Sequence, residues 1–391
     1  MNIKKCSIIG KKNIIHIISS LGEGGAEGVL FRLCKHDTKN KHIVITLTSE
    51  AKYSLMLRNE NIEVIHLNMP TGRLRLSGLF FLYRLLRKKK PCVVQTWMYH
   101  SDLIGGVIAR LAGIRNVIWN IRHSSLEPSK TKKSTLYVAK LSAQLSSWIP
   151  KKIICCAEEA KVAHVNLGYD SSKFDIIGNG YDLSHFKPQL VKETIRETFN
   201  ISSSIPLLGM VGRYTPEKDQ SNLFGAISKL VSKGVPLYLV LAGHGMSSDN
   251  NELVELIDKF DISEQVILMG SVNDIPNFMN QLDLHILSSS SEGFPNVLAE
   301  AMACSIPCVT TDAGSAKHIL GDCGWITPIK DTAALSNNIL LALQEFEHKN
   351  KWETRKASCV SRIRDNFSIE AMVDRYTIAW DSIEINSEQK N

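Results

Sequence analysis

A pair of glutamates in the second half of the chain has the clearest chemical pattern. Glu292 and Glu300 are separated by seven residues and follow a strand-like segment, Leu284–Leu287, and a run of serines at residues 288–291. Pro295 stands where the first turn of a helix tolerates proline, so we expect Glu292 in a loop and Glu300 about one and a half turns into a helix. The two carboxylates would then reach different parts of one elongated ligand.

The start of that helix favours an anion, whereas the carboxylates favour hydroxyl groups. Backbone N–H groups at a helix N-terminus lie at the positive end of the helix dipole, and here they belong to Asn296, Val297 and Leu298. A carboxylate can accept two hydrogen bonds from a vicinal diol, such as that of ribose. The segment therefore predicts a ligand that carries both phosphate and sugar.

Two cations follow the strand pattern at Leu207–Val211. Arg213 and Lys218 lie on one loop after Gly212. A guanidinium can grip two oxygens and an ammonium supplies a point charge, which together suit a diphosphate. Taken alone, however, the pair is better explained as two solvated loop charges.

A glycine-rich turn ends the strand pattern at Asn13–Ile18. Gly24 and Gly25 precede a helical segment, and glycine lets the backbone N–H groups approach an anion at the helix start. The spacing differs from the G-x-G-x-x-G pattern of dinucleotide-binding proteins. A turn without a ligand is therefore an equally good interpretation.

The elements that must position these residues alternate between strand and helix patterns. The strand patterns are Asn13–Ile18, His42–Thr46, Glu63–His66, Val93–Thr96, Val117–Ile121, Ile153–Cys156, Leu207–Val211, Leu237–Ala242, Val266–Met269, Leu284–Leu287 and Pro307–Thr310. Such alternation predicts parallel sheets covered on both faces, in two doubly wound α/β domains at residues 1–187 and 188–366. Ligands of these sheets bind at the carboxyl ends of the strands, where the residues above lie.

Charge is divided unevenly at the same joint. Of 46 Lys+Arg and 39 Asp+Glu in the 391 residues, residues 1–187 hold 29 basic and 13 acidic side chains (29 − 13 = +16). Residues 188–391 hold the other 17 and 26 (17 − 26 = −9). The step supports two domains, and a content of 44% hydrophobic residues excludes wholesale disorder.

Targeting and redox patterns favour a cytoplasmic protein. No apolar run approaches the roughly 18 residues of a membrane span, and the basic N-terminal segment lacks the cleavage site of a signal peptide. The nine cysteines are odd in number and contain no C-x-x-C, which favours reduced thiols over a disulfide framework or a zinc site.

These segments together resemble the retaining glycosyltransferases of family 4, which have the two-domain GT-B fold with a cleft between two Rossmann-like domains. The resemblance covers essentially the whole chain. It rests on Gly22–Glu27, Asn179–Asp182, the Arg213 to Lys218 loop and the Glu292 to Glu300 segment. Residues 94–100 and 121–124 resemble bacterial enzymes that assemble O-antigen and capsule repeat units.

The resemblance implies roles for these residues. Arg213 and Lys218 would hold the diphosphate of a nucleotide-sugar donor and stabilise the leaving phosphate, Glu300 would bind the ribose, and Glu292 the donor sugar. His123 would lie over that sugar. The donor site would also include Gly24, Gly25, Gly212, Gly243, Gly293, Phe294, Asn296, Val297 and Leu298. The first domain would bind the acceptor, and a C-terminal helix at about 367–385 would pack back on it.

The acceptor side is less defined. Trp97, Tyr99 and His100 follow a strand pattern and either line the acceptor pocket or cap the core, and Arg122 is a further candidate. The basic, aromatic segment Leu79–Lys90 is typical of a solvated helix face or of contact with anionic lipid. We favour the second. An undecaprenyl-diphosphate-linked glycan acceptor would then place the enzyme on the cytoplasmic face of the inner membrane. No motif indicates nucleic-acid binding.

Three functions remain open at this point. The first is transfer from a UDP-sugar or similar donor, with no cofactor and no metal, because no two aspartates form a D-x-D metal motif. The second is a nucleotide-sugar 2-epimerase of the same fold, which the glutamate pair and the Arg213–Lys218 loop disfavour. The third is a membrane-associated scaffold that binds nucleotide sugar without catalysis.

Overall fold

Two parallel β-sheets make up the architecture of the chain in a computed structural model. The structure describes residues 11–22, 24–70, 72–73, 75–122, 133–191 and 194–388, with backbone alone for 384–388. The chain divides into unit 1, Met1–Gly180 with Ile369–Asn391, and unit 2, Tyr181–Ser368. The boundary lies before the sequence-predicted joint at 187/188. The reason is that the Tyr181 N–H donates to the Phe367 carbonyl at 2.8 Å and its side chain is buried in unit 2.

The elements follow one another in strand–helix order. In unit 1 they are β1 (Asn13–Ile18), α1 (Gly25–His36), β2 (Lys41–Thr46), α2 (Lys52–Asn59), β3 (Glu63–His66), α3 (Leu76–Lys89), β4 (Val93–Trp97), α4 (Tyr99–Leu111), β5 (Val117–Ile121), α5 (Lys133–Leu145), β6 (Lys152–Cys155), α6 (Glu158–Asn166) and β7 (Phe174–Ile176). In unit 2 they are α7 (Ile195–Thr198), β8 (Leu207–Val211), α8 (Gln220–Val231), β9 (Tyr238–Ala242), α9 (Asn251–Lys259), β10 (Val266–Gly270), α10 (Ile275–Met279), β11 (Leu284–Leu287), α11 (Asn296–Ala303), β12 (Cys308–Thr311), α12 (Ala316–Leu320), β13 (Trp325–Thr327), α13 (Thr332–Phe346) and α14 (Lys349–Phe367). The chain then returns to unit 1 with α15 (Ile369–Glu388).

Unit 1 is a seven-stranded parallel sheet in the order β3-β2-β1-β4-β5-β6-β7. Its central strands are buried along nearly their whole length, since helices cover both faces. Helices α1, α2 and α15 border one core cluster, and α3, α4 and α5 border the other. The predicted doubly wound architecture is therefore confirmed.

Helix α15 completes unit 1 from the far end of the chain. Its buried side chains recur at helical spacing, at Ile369, Met372, Tyr376 and Trp380. They pack in the same core cluster as β1 and α1. Gly180 lies close to the helix start, where an added Cβ would stand 2.9 Å from Ile369 Cα.

Unit 2 is a six-stranded parallel sheet in the order β10-β9-β8-β11-β12-β13. Strand β8 is central, with β9 on one side and β11 on the other. Loops leaving β8 and β11 therefore start side by side at the carboxyl edge of the sheet. A reversal of strand order of this kind opens a crevice in which α/β proteins bind ligands.

Two global expectations have structural outcomes. Among the described residues, no helix is both long and apolar enough to cross a membrane. Seven cysteines there are free thiols. Cys92 is disulfide-bonded, so the expectation of reduced thiols throughout is wrong at that position.

Candidate functional site

The charged residues of unit 2 converge at the carboxyl edge of its sheet. Arg213 follows β8 and is exposed, and Lys218 ends a short 3-10 turn on the same loop. Glu292 lies in the loop that follows β11. Because β8 and β11 are hydrogen-bonded neighbours, side chains far apart in sequence meet here.

Lys218 and Glu292 form an ion pair. Lys218 Nζ lies 2.6 Å from Glu292 Oε1, with the side chains 19% and 13% exposed. The Ser289 hydroxyl donates to the same carboxylate oxygen at 2.6 Å. A mostly buried, hydrogen-bonded pair is held more firmly than a surface pair.

Backbone contacts by the serine run fasten the two loops together. Ser288 Oγ donates to the Lys218 carbonyl at 2.9 Å, and the Ser290 N–H donates to the Glu217 carbonyl at 2.8 Å. The sequence indicated a serine-rich loop but not this function, because the partners lie on the loop after β8, a strand that neighbours β11 in the sheet but not in the sequence. The loops act as one framework that positions Lys218 and Glu292.

Two glycines allow backbone segments to cross closely around this framework. Gly243 has φ of +139°, and a Cβ there would lie 1.9 Å from the Gly212 carbonyl oxygen. Gly314 has φ of +57°, and its Cβ would lie 2.3 Å from the Glu292 carbonyl oxygen. Side chains cannot be accommodated at either position without moving the loops that carry the charges.

Helix α11 begins beside the charged framework, and its first residues differ in their surroundings. Asn296 is exposed and accepts a hydrogen bond from the Tyr181 hydroxyl at 2.7 Å, whereas Val297 is half-buried. The Leu298 N–H donates to the Pro295 carbonyl at 3.1 Å, so its expected place in an anion cradle is not supported. Asn296 and Val297 remain the candidates for backbone contacts to an anion at this helix start.

Other predicted donor-site residues lie around this helix. Glu300 is half-buried on α11, and Gly293 accepts from the Ser315 hydroxyl through its carbonyl at 3.0 Å. Phe294 packs edge to face against Phe367, with centroids 6.0 Å apart, in the unit 2 core. The Phe294 ring thus anchors the loop between β11 and α11 to the core of unit 2.

His285 lies beneath the site and was not singled out by sequence. Its ring is fully buried on β11, and neither ring nitrogen has a hydrogen-bond partner among the described residues. Burial lowers the pKa of His285 to about 3, and the charge of Lys218 adds to the shift. The ring is therefore neutral at physiological pH.

In unit 1, the glycine turn also lies at a strand end. Gly24 is the N-cap residue of α1 and Gly25 its first residue, and both are exposed. Burial raises the pKa of Glu27 in the first turn. The turn is a helix N-terminus that is accessible to solvent, as its sequence indicated.

The aromatic residues after β4 lie inside the core. Trp97 is fully buried, and its Nε1–H donates to His16 Nδ1 at 3.2 Å. Tyr99 is buried as well, with its hydroxyl 2.6 Å from His164 Nε2. Of the two open interpretations, core packing is therefore the one that describes Trp97 and Tyr99, while His100 is exposed.

Arg122, expected on the acceptor side, is occupied within unit 1. Its guanidinium donates to Asn179 Oδ1 at 3.1 Å and to the Tyr376 hydroxyl, and lies 5.6 Å over the Trp97 ring. It joins the end of β5 to α15 and to the segment before Tyr181. An acceptor role for Arg122 would have to compete with these contacts. His123, the next residue, lies outside the described residues.

A buried group in unit 1 has the composition of a metal site. Single ligand atoms of His16, Cys34 and His42 lie within 4.8 Å of one another. However, the Trp97 N–H donates to His16 Nδ1, so His16 Nε2 carries the proton and donates to His42 Nδ1 at 2.9 Å. His42 Nε2 then donates to Asp37 at 3.1 Å. These hydrogen bonds occupy the ring-nitrogen lone pairs of His16 and His42 that a metal would need. We therefore interpret the group as a structural hydrogen-bond network.

Two protein-family matches assign the chain to a family. The family described as "Glycosyltransferase Family 4" matches residues 23–185, and that described as "Glycosyl transferases group 1" matches residues 191–358. The two matches fall on unit 1 and unit 2 in turn. The chain belongs to the family 4 glycosyltransferases.

Curated relatives of this glycosyltransferase include bacterial polysaccharide enzymes. An Escherichia coli protein named UDP-Gal:alpha-D-GlcNAc-diphosphoundecaprenol alpha-1,3-galactosyltransferase is 25% identical over 306 residues, covering 77% of this chain and 78% of that protein. The capsular polysaccharide biosynthesis glycosyltransferase CapM of Staphylococcus aureus is 25% identical over 358 residues, covering 88% of each.

Solved structures confirm the GT-B fold of the glycosyltransferase. Anabaena Alr3699/HepE in complex with UDP has a TM-score of 0.78 at 20% identity, covering 95% of this chain and all of that one (100%). A glycosyltransferase from Rickettsia africae has a TM-score of 0.80 at 18% identity, covering 95% and 98%.

Proposed function

We propose that this glycosyltransferase moves a sugar, with retention of anomeric configuration, from a UDP-sugar to a lipid-linked glycan in the synthesis of a surface polysaccharide. The observation that carries the proposal is the Lys218–Glu292 ion pair at the carboxyl edge of the unit 2 sheet, with Arg213 exposed on the same loop as Lys218. Cations and carboxylates together match a ligand with a diphosphate and hydroxyl groups.

The residues divide the work of transfer among them. Arg213 and Lys218 bind the diphosphate and stabilise the charge that develops on it as the bond to the sugar breaks. Glu300 accepts hydrogen bonds from the ribose and Glu292 from the donor sugar. Since the transition state has oxocarbenium character, the contribution of the protein is mainly positioning and leaving-group stabilisation. The departing phosphate takes the acceptor proton on the same face of the sugar.

UDP is the proposed nucleotide because two of the similar proteins are linked to it by name. One is the E. coli UDP-Gal enzyme and the other is the Anabaena protein in complex with UDP. A thermal-shift series with UDP, GDP and ADP tests this directly. Stabilisation by UDP above the other two supports the proposal, and preference for GDP or ADP would replace the donor class.

The reaction itself is tested with radiolabelled UDP-sugars and an undecaprenyl-diphosphate glycan. We expect label to move to the lipid phase. Formation of an isomeric nucleotide sugar without acceptor would instead indicate a 2-epimerase. Binding of UDP without either product would indicate the scaffold.

The acceptor lipid suggests a membrane-facing surface on unit 1. Leu76, Phe80 and Phe81 are exposed in the first half of α3, and Tyr137 is exposed in the first half of α5. Both helices start at the carboxyl edge of the sheet, the edge at which ligands bind. Exposed apolar side chains of this kind are expected to enter a lipid interface.

Basic side chains accompany these rings. Arg75, Arg84, Lys133 and Lys140 are exposed on the same two helices or next to them, and Arg84 lies 6.0 Å over the Phe80 ring. An anionic lipid surface complements this combination, so we place the glycosyltransferase peripherally on the cytoplasmic face of the inner membrane.

Sedimentation with vesicles tests the surface. We expect wild type to bind vesicles that contain phosphatidylglycerol but not pure phosphatidylcholine vesicles, and Phe80→Ser with Phe81→Ser to reduce binding. Leu341→Ser, which changes a similarly exposed residue on α13 of unit 2, is the matched control. Equal recovery of all forms in the supernatant would contradict the proposal.

A further inference from the structure

The pairing of Lys218 with Glu292 has a consequence for any phosphate that Lys218 binds. An ammonium has three N–H donors, and Glu292 takes one at 2.6 Å. A phosphate bound by the other donors then lies across a single ammonium from a carboxylate. The two anions share one cation and repel each other.

The framework keeps Glu292 from moving away easily. Ser289 donates to the carboxylate at 2.6 Å, and the neighbouring serines hold the Lys218 loop through its carbonyl groups. The Glu292 carbonyl also lies close to Gly314, where an added Cβ would be 2.3 Å away. The carboxylate is therefore a fixed negative charge next to the diphosphate position.

We propose that Glu292 weakens the hold of Lys218 on the released nucleoside diphosphate and so promotes product release. This inference rests on the proposed function. The terminal phosphate of the product carries more negative charge than the same phosphate while it is esterified to the sugar. A fixed carboxylate therefore repels the product more than the donor.

The size of the effect follows from the electrostatics of a partly exposed site. A carboxylate and a phosphate that share one ammonium are close enough to repel each other in a partly exposed site, and salt weakens that repulsion. After screening we expect a change in affinity on the order of tenfold. Glu292 thus acts on the diphosphate through charge, in addition to accepting hydrogen bonds from the donor sugar.

Calorimetric titration with UDP tests the inference on two neutral variants, Glu292→Gln and Glu292→Met. We expect both to bind UDP on the order of tenfold more tightly than wild type. UDP should become a stronger product inhibitor by a similar factor, and kcat should fall more than the KM for the donor rises. As a matched control, Glu347→Gln removes an exposed carboxylate at the C-terminal end of α13 in unit 2, so its affinity for UDP should stay within about twofold of wild type.

The sign of the change in affinity decides the outcome. If Glu292 only orders the loop, both neutral variants will bind UDP more weakly than wild type, which overturns the inference. Unchanged affinity overturns it as well. Failure of wild type to bind UDP, GDP or ADP would instead contradict the proposed function, so the two failures are distinguishable.

Discussion

Two arginines at the strand ends of the two units illustrate different uses of one architecture. Arg122 follows β5 in unit 1 and is held by Asn179, Tyr376 and the Trp97 ring. Arg213 follows β8 in unit 2 and is exposed. In unit 1 the charge at the sheet edge stabilises the fold, while in unit 2 it remains available for a ligand.

The surroundings of each arginine explain the difference. Unit 1 receives α15, which brings Tyr376 and Trp380 under the strand ends, so polar groups there find partners inside the protein. Unit 2 instead places a serine run beside its cations, and the serines bind backbone groups of the loop. A catalytic cation requires such a rigid loop with its charged end left accessible.

The largest effect should come from removing the exposed arginine. Arg213→Ala removes a donor to the leaving phosphate, and loss of one such stabilising group costs about 100- to 1,000-fold in rate. Glu300→Ala should lose most transfer too, because the ribose is no longer held. Steady-state transfer assays measure both, and melting temperatures should stay near wild type. Rates near wild type in both variants would refute the site.

The half-buried Arg122 should show the opposite profile. Arg122→Ala breaks hydrogen bonds to Asn179 and Tyr376 inside unit 1, and we expect a loss of roughly 2 kcal/mol in the free energy of unfolding. Affinity for UDP, which we assign to unit 2, should change by less than about twofold. Urea denaturation and titration with UDP measure the two quantities. Arg110→Ala, at an exposed position on α4, is the control.

A reversed result for Arg122 would be informative. If Arg122→Ala keeps full stability but loses transfer, then Arg122 contacts substrate as the sequence first suggested. The contrast between the two arginines would then disappear.

The sequence located most of the fold because its signals are local. Strands such as β1, β5 and β8 were predicted to the residue, since each is a short apolar run followed by a longer helical pattern. Strands β7 and β13 were missed because three residues carry too little pattern. The sequence led us to expect that a C-terminal helix packs back on the first domain. It did not indicate which side chains of that helix would be buried.

The site was less predictable because it depends on strand order. That Lys218 pairs with Glu292 follows only from β8 lying next to β11, which no local pattern encodes. Likewise, a tryptophan after a strand has the same pattern whether it lines a pocket or fills the core, as Trp97 does. The sequence could therefore indicate which residue types to consider, whereas their partners required the structure.

A smaller effect is expected from acid on the free energy of unfolding, because each unit contains a buried histidine. Burial lowers the pKa of His285 to about 3 and also lowers that of His16. Below about pH 6.5 these histidines are protonated in the unfolded chain but remain neutral in the folded protein. The free energy of unfolding therefore falls as the pH decreases. Each ring contributes a slope of about 1.4 kcal/mol per pH unit between the unfolded and folded pKa values.

His285→Leu removes the contribution of the unit 2 histidine to the pH dependence of stability and leaves that of His16 in unit 1. We expect the variant to keep or gain stability at pH 7, because the ring nitrogens of His285 have no hydrogen-bond partner among the described residues. Its unfolding free energy should then depend less on pH between 6.5 and 4, by about one proton. Urea denaturation across that range measures the slope, and a slope equal to that of wild type would contradict the assignment.

The smallest expected effect is none at all, from chelation. If Arg213 and Lys218 neutralise the negative charge of the diphosphate, a divalent cation is not needed for that purpose. EDTA should then leave the transfer rate within about twofold. Arg213→Ala should not be rescued by Mg²⁺ or Mn²⁺, because the sequence contains no D-x-D pair to hold the ion. Loss of turnover with EDTA that Mg²⁺ or Mn²⁺ restores would show that unit 2 needs a metal despite its cations. The exposed Arg213 would then not be enough, together with Lys218, to neutralise the diphosphate.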